Sequence, residues 1–187
     1  MKKIKMRIER KSQGPRILLF FALTLVAALL MNLLVIPMVL GTSGEEKIPD
    51  MMLGGYTLAD VMRIFGAIGP EGRSAFLWYQ LPLDMLYPYF YGSFLALSVA
   101  WFFKKTGNGN KRIAWLSLLP LLAALFDYLE NVMEIILLVR FPDITAGMVS
   151  LASTFTLIKG LALMISILVL LLLILLYLAR TLARKKS

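Results

Sequence analysis

Residues 113–139 read IAWLSLLPLLAALFDYLENVMEIILLV, and this stretch decides the fold. As a helix it would run about 40 Å, enough to cross a hydrocarbon core about 30 Å thick. Yet it carries Asp127, Glu130, Asn131 and Glu134. Each carboxylate costs about 2.5–3.5 kcal/mol at a helix centre, roughly 9 kcal/mol together, against about 7 favourable from the aliphatic, Met and Phe residues. Alone in lipid the helix is marginal. The spacing i, i+3/i+4, i+7 puts all four polar residues on one face, so the stretch is stable once that face turns into a bundle.

Partners for that face lie on both sides in the chain. Three further apolar stretches, 17–40, 76–103 and about 146–179, are long enough to span. The chain of 187 residues is 59% hydrophobic and 17% charged, which does not fit a water-soluble domain. The expected fold is all-α, a polytopic four-transmembrane-helix bundle forming a single domain over 17–179. A basic arm (1–16) precedes it and a basic tail (180–187) follows it. The first stretch is too long and too far from the start for an ordinary signal-peptide core, so it reads as a retained helix, with cleavage as the lesser alternative.

Orientation follows from the basic residues. Seven Lys/Arg lie in the N-terminal arm, four in the 104–112 loop and four in the tail, 15 in all against five elsewhere. These three segments fall on one side of the bundle, so the positive-inside rule puts both termini in the cytoplasm of a multi-pass cell-membrane protein. The net charge of +9 therefore serves anchoring to membrane lipids, and no nucleic acid is expected as a partner. The chain has no His and no Cys, which excludes thiolate, imidazole and zinc chemistry. No cofactor is implied. In the outer loop (41–75), Thr57 and Asp60 read as a helix cap, followed by an amphipathic face of Leu58, Val61, Met62 and Phe65 lying at the membrane surface, with a stop at Gly66. Gly69-Pro70-Glu71-Gly72-Arg73 reads as the turn into the second span, with Pro70 at a first helical position, and Thr106-Gly107-Asn108-Gly109-Asn110 as a tight inner connection.

The second span carries a stripe matching that of the third: Arg73, Gln80, Asp84, Tyr87 and Tyr91. Counting at about 1.5 Å per residue puts Asn32, Asp84, Asp127, Glu130, Asn131, Glu134 and Lys159 in one layer about 21–32 Å from the cytoplasmic ends. Pro37, Pro82 and Pro88 fall near that layer, where missing helix bonds free backbone carbonyls. The candidate ligand-binding residues are Asp84, Tyr87, Tyr91, Asp127, Glu130, Asn131, Glu134, Lys159 and Arg73. Four carboxylates around one lysine cannot all ionise in low dielectric. One must keep a proton, or Arg63 or Arg73 must fold over the layer, or a cation must join it. The alternative is a structural layer, with Glu134 and Lys159 snorkelling, the tyrosines as an aromatic belt and Asp127 as packing glue.

Gly69-Pro70-Glu71-Gly72-Arg73, Leu83-Asp84 with Tyr87-Pro88, and Asp127-Tyr128-Leu129-Glu130-Asn131 together resemble a group of small prokaryotic four-helix membrane proteins with no established activity. The four spans and Gln80-Leu81-Pro82 also resemble the emopamil-binding (EXPERA) family, whose bundles hold sterol-like ligands over buried carboxylates. That resemblance carries over no residue of this chain.

Three functions are open at this point. The first is an outer-leaflet site binding a lipid-like or cationic amphiphilic ligand; if it is an enzyme, its paired carboxylates suit acid/base work such as isomerisation. The second is cation- or proton-coupled transport, against which stand the absence of a repeat and the height of the layer. The third is an accessory protein docking onto another membrane protein or a second copy of itself.

Overall fold

The structure is a computed structural model and describes residues 11–106 and 113–186. Much of the basic arm (Lys2, Lys3, Lys5, Arg7, Arg10), the inner-loop residues Lys111 and Arg112, and most of the 106–110 connection lie outside the described residues. The chain is all-α, with helices α1 (Gly14–Leu40), α2 (Leu58–Ala67), α3 (Gly69–Lys105), α4 (Leu119–Arg140) and α5 (Ala146–Lys186). Short 3-10 turns occupy Pro49–Met51 and Ile113–Leu118. Helices α1, α3 and α5 are long and apolar enough to cross a membrane. The 22-residue α4 carries its three carboxylates in between.

Proline placement shapes two of the long helices. Each contains a π turn, Met31–Val35 in α1 and Phe76–Gln80 in α3, that ends just before an X-Pro pair, Ile36-Pro37 and Leu81-Pro82. Proline has no N–H to give the preceding turn. Widening the helix lets the residue before it bond five back, Ile36 N–H to Met31 O and Leu81 N–H to Phe76 O. The two π turns face each other, with Gln80 Nε2 3.6 Å from Met31 Sδ.

Small residues bring the helices together. A Cβ on Gly72 would sit 2.6 Å from the Val39 carbonyl oxygen, and one on Gly92 would sit 3.0 Å from Ala124 Cβ. These glycines set the close approach of α3 to α1 and to α4, as small residues do where lipid gives no hydrophobic drive. The outer surface is apolar, with Leu18, Leu33, Val139, Leu168 and Leu175 all more than half exposed. The interior holds two apolar clusters. One contains Ile48, Val61, Phe65, Phe76 and Leu137; the other contains Leu95, Val99, Ala123, Leu170 and Leu173. Buried polar residues touch both clusters, Asp127 through Tyr91 and Thr156 through Tyr56.

One expectation about the outer segment is corrected. Helix α2 has the expected Thr57/Asp60 capping box, but its buried face is Val61, Ile64 and Phe65, while Met62 is 37% exposed. That face packs on Phe76, Leu137 and Phe141 of the bundle instead of lying on lipid, because it fits the protein core. The second long helix begins at Gly69, ahead of the apolar stretch that starts at Phe76, with Pro70 in its first turn as the sequence indicated; Gly69 takes φ +66°, which glycine adopts without strain.

Candidate functional site

The polar stripes of α3 and α4 face each other and meet Lys159 of α5. Lys159, 6% exposed, pairs through Nζ with Asp127 Oδ1 at 3.1 Å and with Glu130 Oε2 at 2.5 Å. The Glu130 contact is an ion pair rather than a directed hydrogen bond. Tyr91 donates its hydroxyl to Asp127 Oδ2 at 2.9 Å, so both oxygens of Asp127 are held, as expected for an Asp turned away from lipid. Thr156 donates to Glu130 Oε1 at 2.5 Å, and its oxygen lies 3.4 Å from the Tyr56 hydroxyl. Burial, and after it the negative charge of Glu134, push the Tyr56 phenol up.

Asn131 is fully buried and donates Nδ2 to the backbone oxygen of Asp84 at 3.1 Å. Pro88 stands four residues after Asp84, so this carbonyl lacks its helical partner and the amide replaces it. Tyr87 is half-buried and stacks obliquely on Tyr91, with ring centroids 5.1 Å apart. Glu134 is 0% exposed and neither of its oxygens has a hydrogen-bond partner among the described residues.

Asp50 joins this group although the spans do not contain it. It sits on the Pro49–Met51 turn of the outer loop and pairs with Lys159. The loop is seated by fully buried Ile48 and by the Tyr56 N–H, which donates to Ser153 Oγ at 2.9 Å. Gly55, at φ +90°, lets the backbone approach α5 there. The sequence holds a signal for this: Ile48, Met51, Met52 and Leu53 are apolar residues around Asp50 in an otherwise charged loop, and an apolar loop segment beside a bundle docks on it.

Arg73 stands apart from the cluster. It donates Nη1 to the Phe65 carbonyl at 2.5 Å and lies over the Phe141 ring at 4.4 Å. Arg63 pairs with Glu45. Neither arginine folds over the layer; the outer loop brings a fifth carboxylate instead. Five carboxylates therefore surround one ammonium: Asp50, Asp84, Asp127, Glu130 and Glu134 around Lys159.

A cavity of about 210 Å³ opens beside this cluster. Asp50, Asp84, Asp127 and Lys159 are among its lining residues, together with Tyr87 and Tyr91. Asn32 and Leu53 are lining residues that are also exposed, so the cavity reaches the outward surface beside the π turn of α1. Glu130, Asn131 and Glu134, on the same helix as Asp127, are not among its lining residues. Comparison with family models, curated proteins and solved structures gives no match, and the motif resemblances rest on their residues alone.

Proposed function

We propose that the chain is a four-span membrane protein, with both termini cytoplasmic, whose cavity binds the positively charged head group of a lipid-like amphiphile drawn from the outer leaflet. The observation that carries this reading is the charge imbalance at the cavity. Asp84 lines it with a carboxylate that has no hydrogen-bond or ion-pair partner among the described residues, while Lys159 is already shared by Asp50, Asp127 and Glu130. A cationic head supplies what those oxygens lack, and tyrosine faces suit an ammonium. The volume, below the roughly 300 Å³ at which pockets begin to enclose whole small ligands, fits a head group whose chain stays in lipid.

For α4 as the fourth span, the support is its burial pattern. Asp127, Glu130 and Glu134 are 3%, 0% and 0% exposed, whereas Leu125, Val132 and Val139 face outward. Lipid would meet an apolar surface despite the charges in the sequence. Cysteines placed at Glu46 and Asn108 test the orientation: an impermeant thiol reagent added outside labels the first and spares the second, and the reverse pattern contradicts the topology.

Binding is tested by native mass spectrometry of the protein released from nanodiscs doped with a long-chain primary amine. The wild type keeps the amine and Asp84→Asn loses it. Equal retention by both would place the amine elsewhere and overturn the reading.

A further inference from the structure

Carboxylate oxygens of Asp50, Asp84 and Asp127 lie within 4.8 Å of one another. One ion with oxygen ligands at about 2.0–2.6 Å bridges that span. A second, independent feature points the same way. Gln80 is 2% exposed, lines the same cavity, and its Oε1 has no hydrogen-bond partner. Its position follows from the π turn, which ends at Gln80 and brings it opposite Met31.

We propose that this cavity is a site for a hard divalent cation, Ca²⁺ or Mg²⁺, held by Asp50, Asp84, Asp127 and Gln80 Oε1. The donor chemistry selects the ion: all four proposed ligands are oxygens, three of them carboxylates, a set that suits hard cations. Charge selects its valence. Five carboxylates stand around the one ammonium of Lys159, and a divalent ion offsets more of that excess than a monovalent one. Lys159 and Tyr91 orient the ligands, since Lys159 holds Asp50 and Asp127 while Tyr91 fixes the second oxygen of Asp127. Asp50 arrives on the outer loop, so the site is complete when that loop is docked.

The inference rests on the functional reading only in taking the cavity as a receptor for positive charge. It adds that an inorganic ion fills that role, in competition with an ammonium head for Asp84.

The test uses Tb³⁺ as an oxygen-seeking probe on the full-length protein in nanodiscs of zwitterionic lipid, excited through tyrosine. Tyr87 and Tyr91 line the cavity and sensitise an ion bound there. Saturable emission is expected, displaced by Ca²⁺ or Mg²⁺ and by dodecylammonium. Asp84→Asn raises the half-saturating Tb³⁺ about tenfold and Gln80→Leu about threefold, as expected when ligand charge and number fall. Gln80→Leu keeps every charge, so it decides the matter should Asp84→Asn not fold. Emission unchanged in either folded variant means that Tb³⁺ sits on surface carboxylates such as Glu45 and Glu46, and overturns the site. Amine binding without Tb³⁺ binding removes this inference and leaves the functional reading. Tb³⁺ binding without amine binding does the opposite.

Discussion

Asn131 donates its side-chain amide to the backbone oxygen of Asp84 at 3.1 Å, which is the carbonyl that Pro88 leaves without a helical N–H. One buried amide thus lets a proline stand inside α3 beside the acidic cluster and ties α3 to α4. Removing a partner from a buried carbonyl costs about 1–3 kcal/mol. Asn131→Leu is expected to destabilise by that amount. Pro88→Ala in the same chain should return most of it, because alanine restores the missing donor. Unfolding free energies of the two single variants and the double variant check this; simply additive effects would show that the amide does not serve that carbonyl.

Lys159 and Asp84 should respond in opposite ways to neutralisation. Lys159→Met leaves Asp50, Asp127 and Glu130 without their shared cation, a change that costs about 3–5 kcal/mol when a buried pair is broken. Asp84→Asn removes an unpaired buried charge and is expected to be neutral or stabilising. Denaturant titration in detergent reads both, and comparable losses in the two variants would contradict the charge imbalance.

Helix approach gives a graded prediction. A Cβ at position 72 meets a backbone oxygen at 2.6 Å, and one at position 92 meets a methyl group at 3.0 Å. The overlap is deeper at position 72, where Ile68 Cβ also lies at 2.7 Å, so Gly72→Ala is expected to cost about 1–3 kcal/mol and Gly92→Ala less. Thermal melts of the two variants should keep that order; a milder effect at Gly72 would contradict the α1–α3 packing.

The outer helix α2 carries a local pH dependence. The Thr57 hydroxyl, then the Thr57 backbone N–H, hold the Asp60 carboxyl below the usual carboxylate range. A lowered folded-state value means a contribution complete above the ordinary carboxylate value of about 4 and lost as pH falls through the lowered one. Amide exchange at Asp60 and Val61 should accelerate in that acid window, after correction for intrinsic rates, and Thr57→Ala should bring the acceleration to neutral pH. Exchange indifferent to Thr57→Ala would mean that the cap does not hold the helix start.

Periodicity made much of this readable in the chain. The i, i+3/i+4, i+7 spacing of Asp127, Glu130, Asn131 and Glu134 placed them on one buried face, and the stripe of Asp84, Tyr87 and Tyr91 faced it as expected. Asp50 was not legible by that route, since a loop has no period and its docking depends on Ile48 and Ser153 meeting across the fold. Arg73 misled for a related reason. It is in register with the α3 stripe, but α3 begins at Gly69, so Arg73 lies in the first turn near α2 and finds the Phe65 carbonyl. The π turns were hinted at by Pro37 and Pro82, which mark where helix bonds must fail but not how the backbone repairs them.

The central claim is that the unpaired acidity of this cavity receives a positively charged head group. The most direct test is the melting temperature of the protein in zwitterionic nanodiscs, titrated with dodecylammonium or with dodecanol, which has the same chain and no charge. The account predicts a saturable rise with dodecylammonium, none with dodecanol, and loss of the rise in Asp84→Asn. An identical response to both compounds, or a rise that survives Asp84→Asn, would contradict it.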